Sequence, residues 1–241
     1  MLIVQKYGGT SLADNALLHQ AAKRIVGLAH QGHKMVVVVS AQGHQTDILL
    51  EQALSVCPQP SPRELDALLS TAEQCSAALL SLAIQTLGTD PVSLNASQAG
   101  IHTDDTYTDA QITWLDASRL RRELENGKVC VVAGFQGTAP NGDITTLGRG
   151  GSDTTAVALA AGLKADMCQI YTDVDGVYSA DPRKHPEAQR FDRIDYDSML
   201  TLIDGGAQVL HRKSVEIAQR HNLLLEVRSA FTDIPGTVVG P

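Results

Sequence analysis

Three strand-like segments constrain this chain more than anything else in it: Leu2–Tyr7, which reads as buried, the continuous β-branched run at residues 35–40, and Val129–Ala133. A strand that shows no polar alternation must be covered on both faces, which is the habit of parallel sheets. Parallel strands in turn need crossovers long enough to hold a helix. The intervening segments supply them. Asp14 or a neighbour can start a helix in which Leu17, Ala21, Ile25 and Leu28 share a face, and Gly32 ends it. Pro58, Pro60 and Pro62 form a rigid break before a long helix whose stripe Leu65, Leu68, Leu69, Ala72, Cys75 and Leu79 reads as core. Further helices are expected at 117–125, 196–203 and 214–220, and strands at Pro91–Leu94, Met167–Thr172, 223–228 and Thr237–Val239. Residues 98–112, polar and rich in Thr and Asp, read as loops or edge strands over a site. Asn141-Gly142 marks a hairpin. The alternation predicts an α/β fold with one mostly parallel sheet between helices, and ligands at the carboxyl ends of its strands.

Glycines cluster where such ligands would lie: Gly8-Gly9 after the first strand, Gly134 to Gly137 after Val129–Ala133, and Gly148, Gly150 and Gly151 before a small-residue helix. The last cluster, Thr146-Leu147-Gly148-Arg149-Gly150-Gly151-Ser152-Asp153-Thr154-Thr155, reads as an anion site. Backbone N–H groups at a helix start carry partial positive charge, and Arg149 adds a planar fork suited to a carboxylate or phosphate. Ser152, Asp153, Thr154 and Thr155 are the candidate caps. No GxxxxGK[ST] is present, no GxGxxG follows a strand, and no HRD or DFG set occurs. These absences exclude a P-loop, weaken a dinucleotide site and exclude a protein kinase.

Charge and cysteines narrow the class. A net charge of −8 over 241 residues argues against nucleic acid or an anionic membrane as partner, since either calls for a basic face. Cys57, Cys75, Cys130 and Cys168 show no CxxC pair and read as buried reduced thiols. The N-terminal apolar run is too short for a signal peptide and no stretch approaches a membrane span, so the chain reads as cytoplasmic. His30, His33 and His44 read as solvated, and the Asp173-Val174-Asp175-Gly176 turn lacks the remaining spacing of a calcium loop.

Taken together, Lys6-Tyr7-Gly8-Gly9-Thr10-Ser11, the 147–155 stretch, and Tyr171-Thr172-Asp173-Val174-Asp175-Gly176-Val177-Tyr178 followed by Asp181-Pro182-Arg183 resemble the aspartokinase catalytic domain of the amino-acid kinase family. Ser40-Ala41 with Thr46-Asp47, Leu65-Asp66 through Glu73, and Val209-Leu210-His211 add to the likeness, which runs in order over nearly the whole chain. The resemblance implies a three-layer α/β/α sandwich, residues 1–241 as a single catalytic domain, and a homodimer. It also implies ATP and Mg²⁺ as cofactors, with L-aspartate phosphorylated on its β-carboxylate. By motif position, Lys6 and Asp153 would be catalytic. Thr46, Glu73, Arg149, Gly150, Gly151 and Ser152 would hold aspartate. Lys6, Gly8, Gly9, Ser40, Thr172, Asp173, Tyr178, Arg183 and Gln208 would hold ATP, with Mg²⁺ carried by the nucleotide and no metal site of the protein's own.

Four positions depart from the family pattern: Ala72 for glycine, Gln42 for methionine, Gln208 for a lysine near ATP, and Arg212 for proline. Lys213 or Arg212 could compensate for the lost lysine. The departures keep two alternatives open, another small amino acid or carboxylate as acceptor, and a non-catalytic ATP or amino-acid sensor. Family members usually continue into ACT domains after a segment like Gly236-Thr237-Val238-Val239. The expectation is therefore an enzyme without that feedback site.

The reaction needs little acid–base chemistry. A β-carboxylate, with an ordinary pKa of about 3.9, is already ionised at neutral pH. Catalysis then reduces to positioning and to offsetting the repulsion between two anions.

Overall fold

The computed structural model describes residues 1–241. In chain order the elements are β1 (Leu2–Tyr7), a 3₁₀ turn (Gly9–Leu12), α1 (Asn15–His30), β2 (Lys34–Val39), α2 (Gln45–Val56), α3 (Pro62–Gln85) and β3 (Pro91–Leu94). There follow α4 (Ala96–Ala99), β4 (Ile101–Thr103), β5 (Ile112–Leu115), α5 (Ser118–Glu125), β6 (Val129–Ala133), β7 (Gln136–Thr138) and β8 (Ile144–Thr146). The last third contains α6 (Gly151–Leu163), β9 (Met167–Thr172), β10 (Arg193–Ile194), α7 (Tyr196–Asp204), α8 (Arg212–His221), β11 (Leu225–Ser229) and β12 (Thr237–Val239).

Eight strands form the main sheet in the order β10-β12-β11-β9-β1-β2-β6-β3. All neighbouring pairs are parallel except β11 with β12. The period of two in a strand divides its side chains between two cores. Ile3, Tyr7, Met35, Val37, Val39, Val131 and Tyr171 pack beneath α1 and α3. Val4, Val36, Val38, Val132, Ile170 and Val227 pack on the opposite face, against α6 and α8 among others. This is the three-layer α/β/α sandwich. Local chemistry agrees with it: the Asp14 carboxylate accepts from the Leu17 N–H at 2.9 Å to open α1, and Ser61 caps α3 just before Pro62.

Several expectations need correction. The sheet is not single: β5-β4-β7-β8 form a second, four-stranded sheet. Its strands are only three or four residues long; β7 and β8 form the antiparallel hairpin expected at Asn141-Gly142, and β4 and β5 pair beside it. Gly137 lets Thr103 pack directly on its Cα, and the Thr103 and Thr145 hydroxyls meet at 2.6 Å. Residues 98–112 are also not all peripheral, since Ile101 is fully buried and belongs to the α6-side core.

The stripe on α3 is turned. Leu69, Ala72, Ala77, Leu80 and Ile84 face inward, but so do Asp66, Ser70, Glu73 and Ser76, while Cys75 and Leu79 are exposed. Polar groups occupy the inner face because its N-terminal half approaches the functional site. By length and composition α3 could cross a membrane, contrary to expectation, yet here it packs against the sheet with Asp66 and Glu73 buried. Of the four free thiols only Cys130 and Cys168 are buried.

Candidate active site

Parallel pairing of β9, β1, β2 and β6 places Tyr171–Thr172, Tyr7, Val39 and Ala133 in a row at one edge of the sheet. The loops that leave this edge are stitched together by backbone bonds. Gly8 N–H donates to Tyr171 O at 3.3 Å, Ser40 N–H to Tyr7 O at 3.0 Å, and Gly134 N–H to Val39 O at 3.0 Å. Gly9 O accepts from Gly43 N–H at 3.0 Å, and a Cβ on Gly9 would lie 2.5 Å from Ala41 O. Glycine is required there so that the two loops can touch.

Strand alternation puts Lys6 on the Val4 face, toward the start of α6. Its Nζ lies 2.7 Å from Asp153 Oδ1, with both side chains mostly buried. The contact is close but poorly directed as a hydrogen bond. The expected side-chain capping of α6 is absent. Gly150, at φ 72°, is the N-cap, and the hydroxyls of Thr154 and Thr155 donate back to Gly150 O and Gly151 O. The N–H groups of Ser152 and Asp153 are therefore left without backbone acceptors. Two free donors, the helix dipole and Lys6 make this a positive spot shielded by one carboxylate.

Toward β2 and β6, Ala41 N–H donates to Glu73 Oε1 at 3.2 Å, while Oε2 is buried without a partner. Burial pushes the Glu73 carboxyl up to about 7, with the Ala41 N–H opposing. Such a group is short of a cation. Thr46 sits half-buried in the first turn of α2. Ser152 packs on Gly134, where a Cβ would lie 2.8 Å from Ser152 Oγ. Arg149 is exposed and bracketed by Gly148 and Gly150, at φ 69° and 72°. Gly150 in turn lies flat against the His211 ring.

Toward β9 and β11 opens a cleft of about 1340 Å³. Thr172, Asp173, Tyr178, Arg183 and Gln208 all line it. Tyr178 OH donates to Asp175 Oδ1 at 2.9 Å, and Arg183, largely solvated, pairs with Asp181 at 3.0 Å. Lys6, Gly8, Gly9 and Ser40 lie beside the cleft at the ends of β1 and β2. Neither proposed substitute for a cation at Gln208 lines the cleft. Arg212 is tied to Asp204 and Glu216, and Lys213 reaches Asp109 at 3.4 Å.

Sequence reasoning missed Ser229, Phe231 and Ile234, which also line the cleft. Applying the carboxyl-end rule to β11, as it was applied to β1, would have found the first two. Asp66 is fully buried beside the site, and no sequence signal separates it from the solvated acids of other helices.

Residues 1–229 match the amino acid kinase family. The chain belongs to the amino acid kinase family. Among relatives of this chain, the aspartokinase of Mycobacterium bovis is 52% identical over 239 residues, covering 99% of this chain and 57% of that protein. The chain thus spans little more than half the length of the curated relatives it matches. The crystal structure of aspartate kinase from Synechocystis superposes with a TM-score of 0.89 at 50% identity, over 100% of this chain and 40% of that one. That of E. coli aspartokinase III in complex with aspartate and ADP gives a TM-score of 0.88 at 27% identity, over 100% of this chain and 64% of that one.

Proposed function

We propose that this kinase transfers the γ-phosphoryl group of ATP to the β-carboxylate of L-aspartate, giving ADP and 4-phospho-L-aspartate. The observation that carries the reading is the Lys6–Asp153 pair at an uncapped helix start, with a polar cleft on one side and the half-satisfied Glu73 carboxylate on the other. The relatives named above support the choice of aspartate.

The order of strands orders the reaction. We assign the nucleotide to the cleft at β9 and β11, its phosphates to Gly8, Gly9 and Lys6 at β1, and the amino acid to Glu73, Thr46, Ser152 and Arg149. Glu73 supplies the missing charge partner for an α-ammonium, and Arg149 can bind an α-carboxylate through two parallel bonds. A β-carboxylate oxygen attacks the γ-phosphorus, the bond to the β,γ-bridging oxygen breaks, and ADP leaves. No proton moves in this step. Lys6 and the free N–H groups of α6 offset charge on the transferring group, which is where preorganised donors lower a barrier most. Asp153 holds Lys6 between turnovers.

No group of three or more His, Cys, Asp or Glu side chains forms a metal cage. Mg²⁺ would enter on the nucleotide phosphates, keep most of its water and neutralise phosphate charge when bound. The test is ADP release as aspartate is titrated: release that saturates with aspartate is expected, and release indifferent to it would refute the reading.

We also propose that the chain forms a homodimer through the outward face of α3. Cys75, Leu79 and Leu82 are exposed there, the last two at 37% and 58%, and no charged residue occurs between Glu73 and Gln85. An uncharged apolar stripe is self-complementary about a two-fold axis.

A further inference from the structure

Helix α3 meets the site at two places. Glu73 faces the amino-acid side, and two turns earlier on the same face Asp66 is fully buried. The Asp66 carboxylate accepts three hydrogen bonds, from Thr146 N–H at 2.8 Å and Thr108 N–H at 2.9 Å to Oδ2, and from the Thr146 hydroxyl at 2.7 Å to Oδ1. Burying a carboxylate with only neutral donors is costly, and a plain helix–sheet contact would be made more cheaply by apolar side chains.

What the carboxylate holds gives the reason. Thr146 is the last residue of β8, three residues before Arg149. Thr108 sits at φ 71°, a left-handed conformation that a β-branched residue resists, and its N–H is turned onto Asp66. The same turn wraps the strand end: Ala110 N–H donates to Thr146 O at 2.9 Å, and Asp109 packs beside Gly148. One side chain therefore fixes both the end of β8 and the turn that covers it, relative to the helix bearing Glu73.

We propose that Asp66 is a positioning residue for the amino-acid side of the site: it sets the separation between Glu73 on α3 and Arg149 after β8, the two groups that must meet opposite ends of one small substrate. This rests on the aspartate reading above. The nucleotide cleft, built on β9 and β11, is not attached through it.

Asp66→Asn and Asp66→Leu separate positioning from charge. The asparagine oxygen can still accept both N–H groups while its amide donates to the Thr146 hydroxyl. The leucine can do neither, and leaves two buried N–H groups unpaired. In the aspartate-dependent assay Asp66→Leu should raise the KM for aspartate by about tenfold or more, with the KM for ATP within about twofold of wild type. Asp66→Asn should stay within about threefold for both. Amide exchange at Thr108 and Thr146 should accelerate in the leucine variant alone. Asp66→Glu, which keeps the acceptor oxygens but lengthens the tether to both amides by one methylene, decides the case if Asp66→Leu does not fold: a rise in the aspartate KM alone supports the proposal, and no change overturns it. Equal changes in both KM values, or an asparagine variant as impaired as the leucine one, would also overturn it. Wild-type protein that does not turn over aspartate brings down the acceptor reading and this proposal together. Normal turnover with an unchanged aspartate KM in folded Asp66→Leu brings down this proposal alone.

Discussion

On the proposed reading, acceptor recognition turns on Glu73. Its carboxyl is raised from an ordinary 4.5 to about 7 by burial, so the folded protein keeps a proton that the unfolded chain would release. Between those values the native state binds more protons than the unfolded one, and this residue's contribution to stability falls as pH rises. An α-ammonium beside Glu73 requires the ionised form. kcat/KM for aspartate should therefore rise with pH through an apparent pKa near 7, and initial rates between pH 5.5 and 8.5 measure it. Glu73→Gln should lower kcat/KM and flatten that limb. A limb that survives in the glutamine variant assigns it elsewhere.

Lys6 is tested by a different quantity. If its charge acts mainly as the phosphoryl group transfers, Lys6→Ala lowers kcat by roughly 10²-fold or more. An unchanged kcat with a raised KM for ATP would reduce Lys6 to ground-state binding.

At the scale of elements, α3 shows where sequence reading succeeds and fails. That a long helix follows the prolines was legible from the apolar spacing, but its end at Gln85 and its orientation were not. Pattern reading assigns charged residues to water, and Asp66 and Glu73 are instead buried because the helix forms one wall of the site. α2 was not foreseen at all: none of its residues is buried, so no stripe announces it. β1, β6, β9 and β12 matched their expected bounds because short segments rich in apolar and β-branched residues, bounded by Gly, Asp or Pro, leave strands little choice. The outward side of α3 carries its own prediction. If two copies pair across it, Leu79, at the middle of the exposed stripe, comes closest to its symmetry mate. Leu79→Glu or Leu82→Glu should then shift the sedimenting species to monomer. A monomer at micromolar concentration with wild-type sequence would contradict the pairing.

Across the whole molecule, the sheet does what no single motif could reveal. The motifs around Lys6, Arg149 and Asp173 were readable one by one, yet their division of labour depends on β1 lying between β9 and β2. Sequence separation hides this, since β9 pairs with β1 across more than 160 residues. The small sheet was legible only in part: Asn141-Gly142 announced the antiparallel β7–β8 hairpin and 98–112 was open to edge strands, but the pairing of these short strands rests on contacts such as Thr103 with Thr145, which exist only after folding. The proposed layout, which assigns nucleotide, phosphate and amino acid to adjacent compartments along one edge, requires a new acyl–phosphate bond to form at Lys6 and Asp153. Hydroxylamine trapping with ATP and aspartate tests that claim most directly. Aspartyl hydroxamate formed in step with ADP is the predicted result, and ADP release without hydroxamate, or hydroxamate only from some other acid, would contradict it.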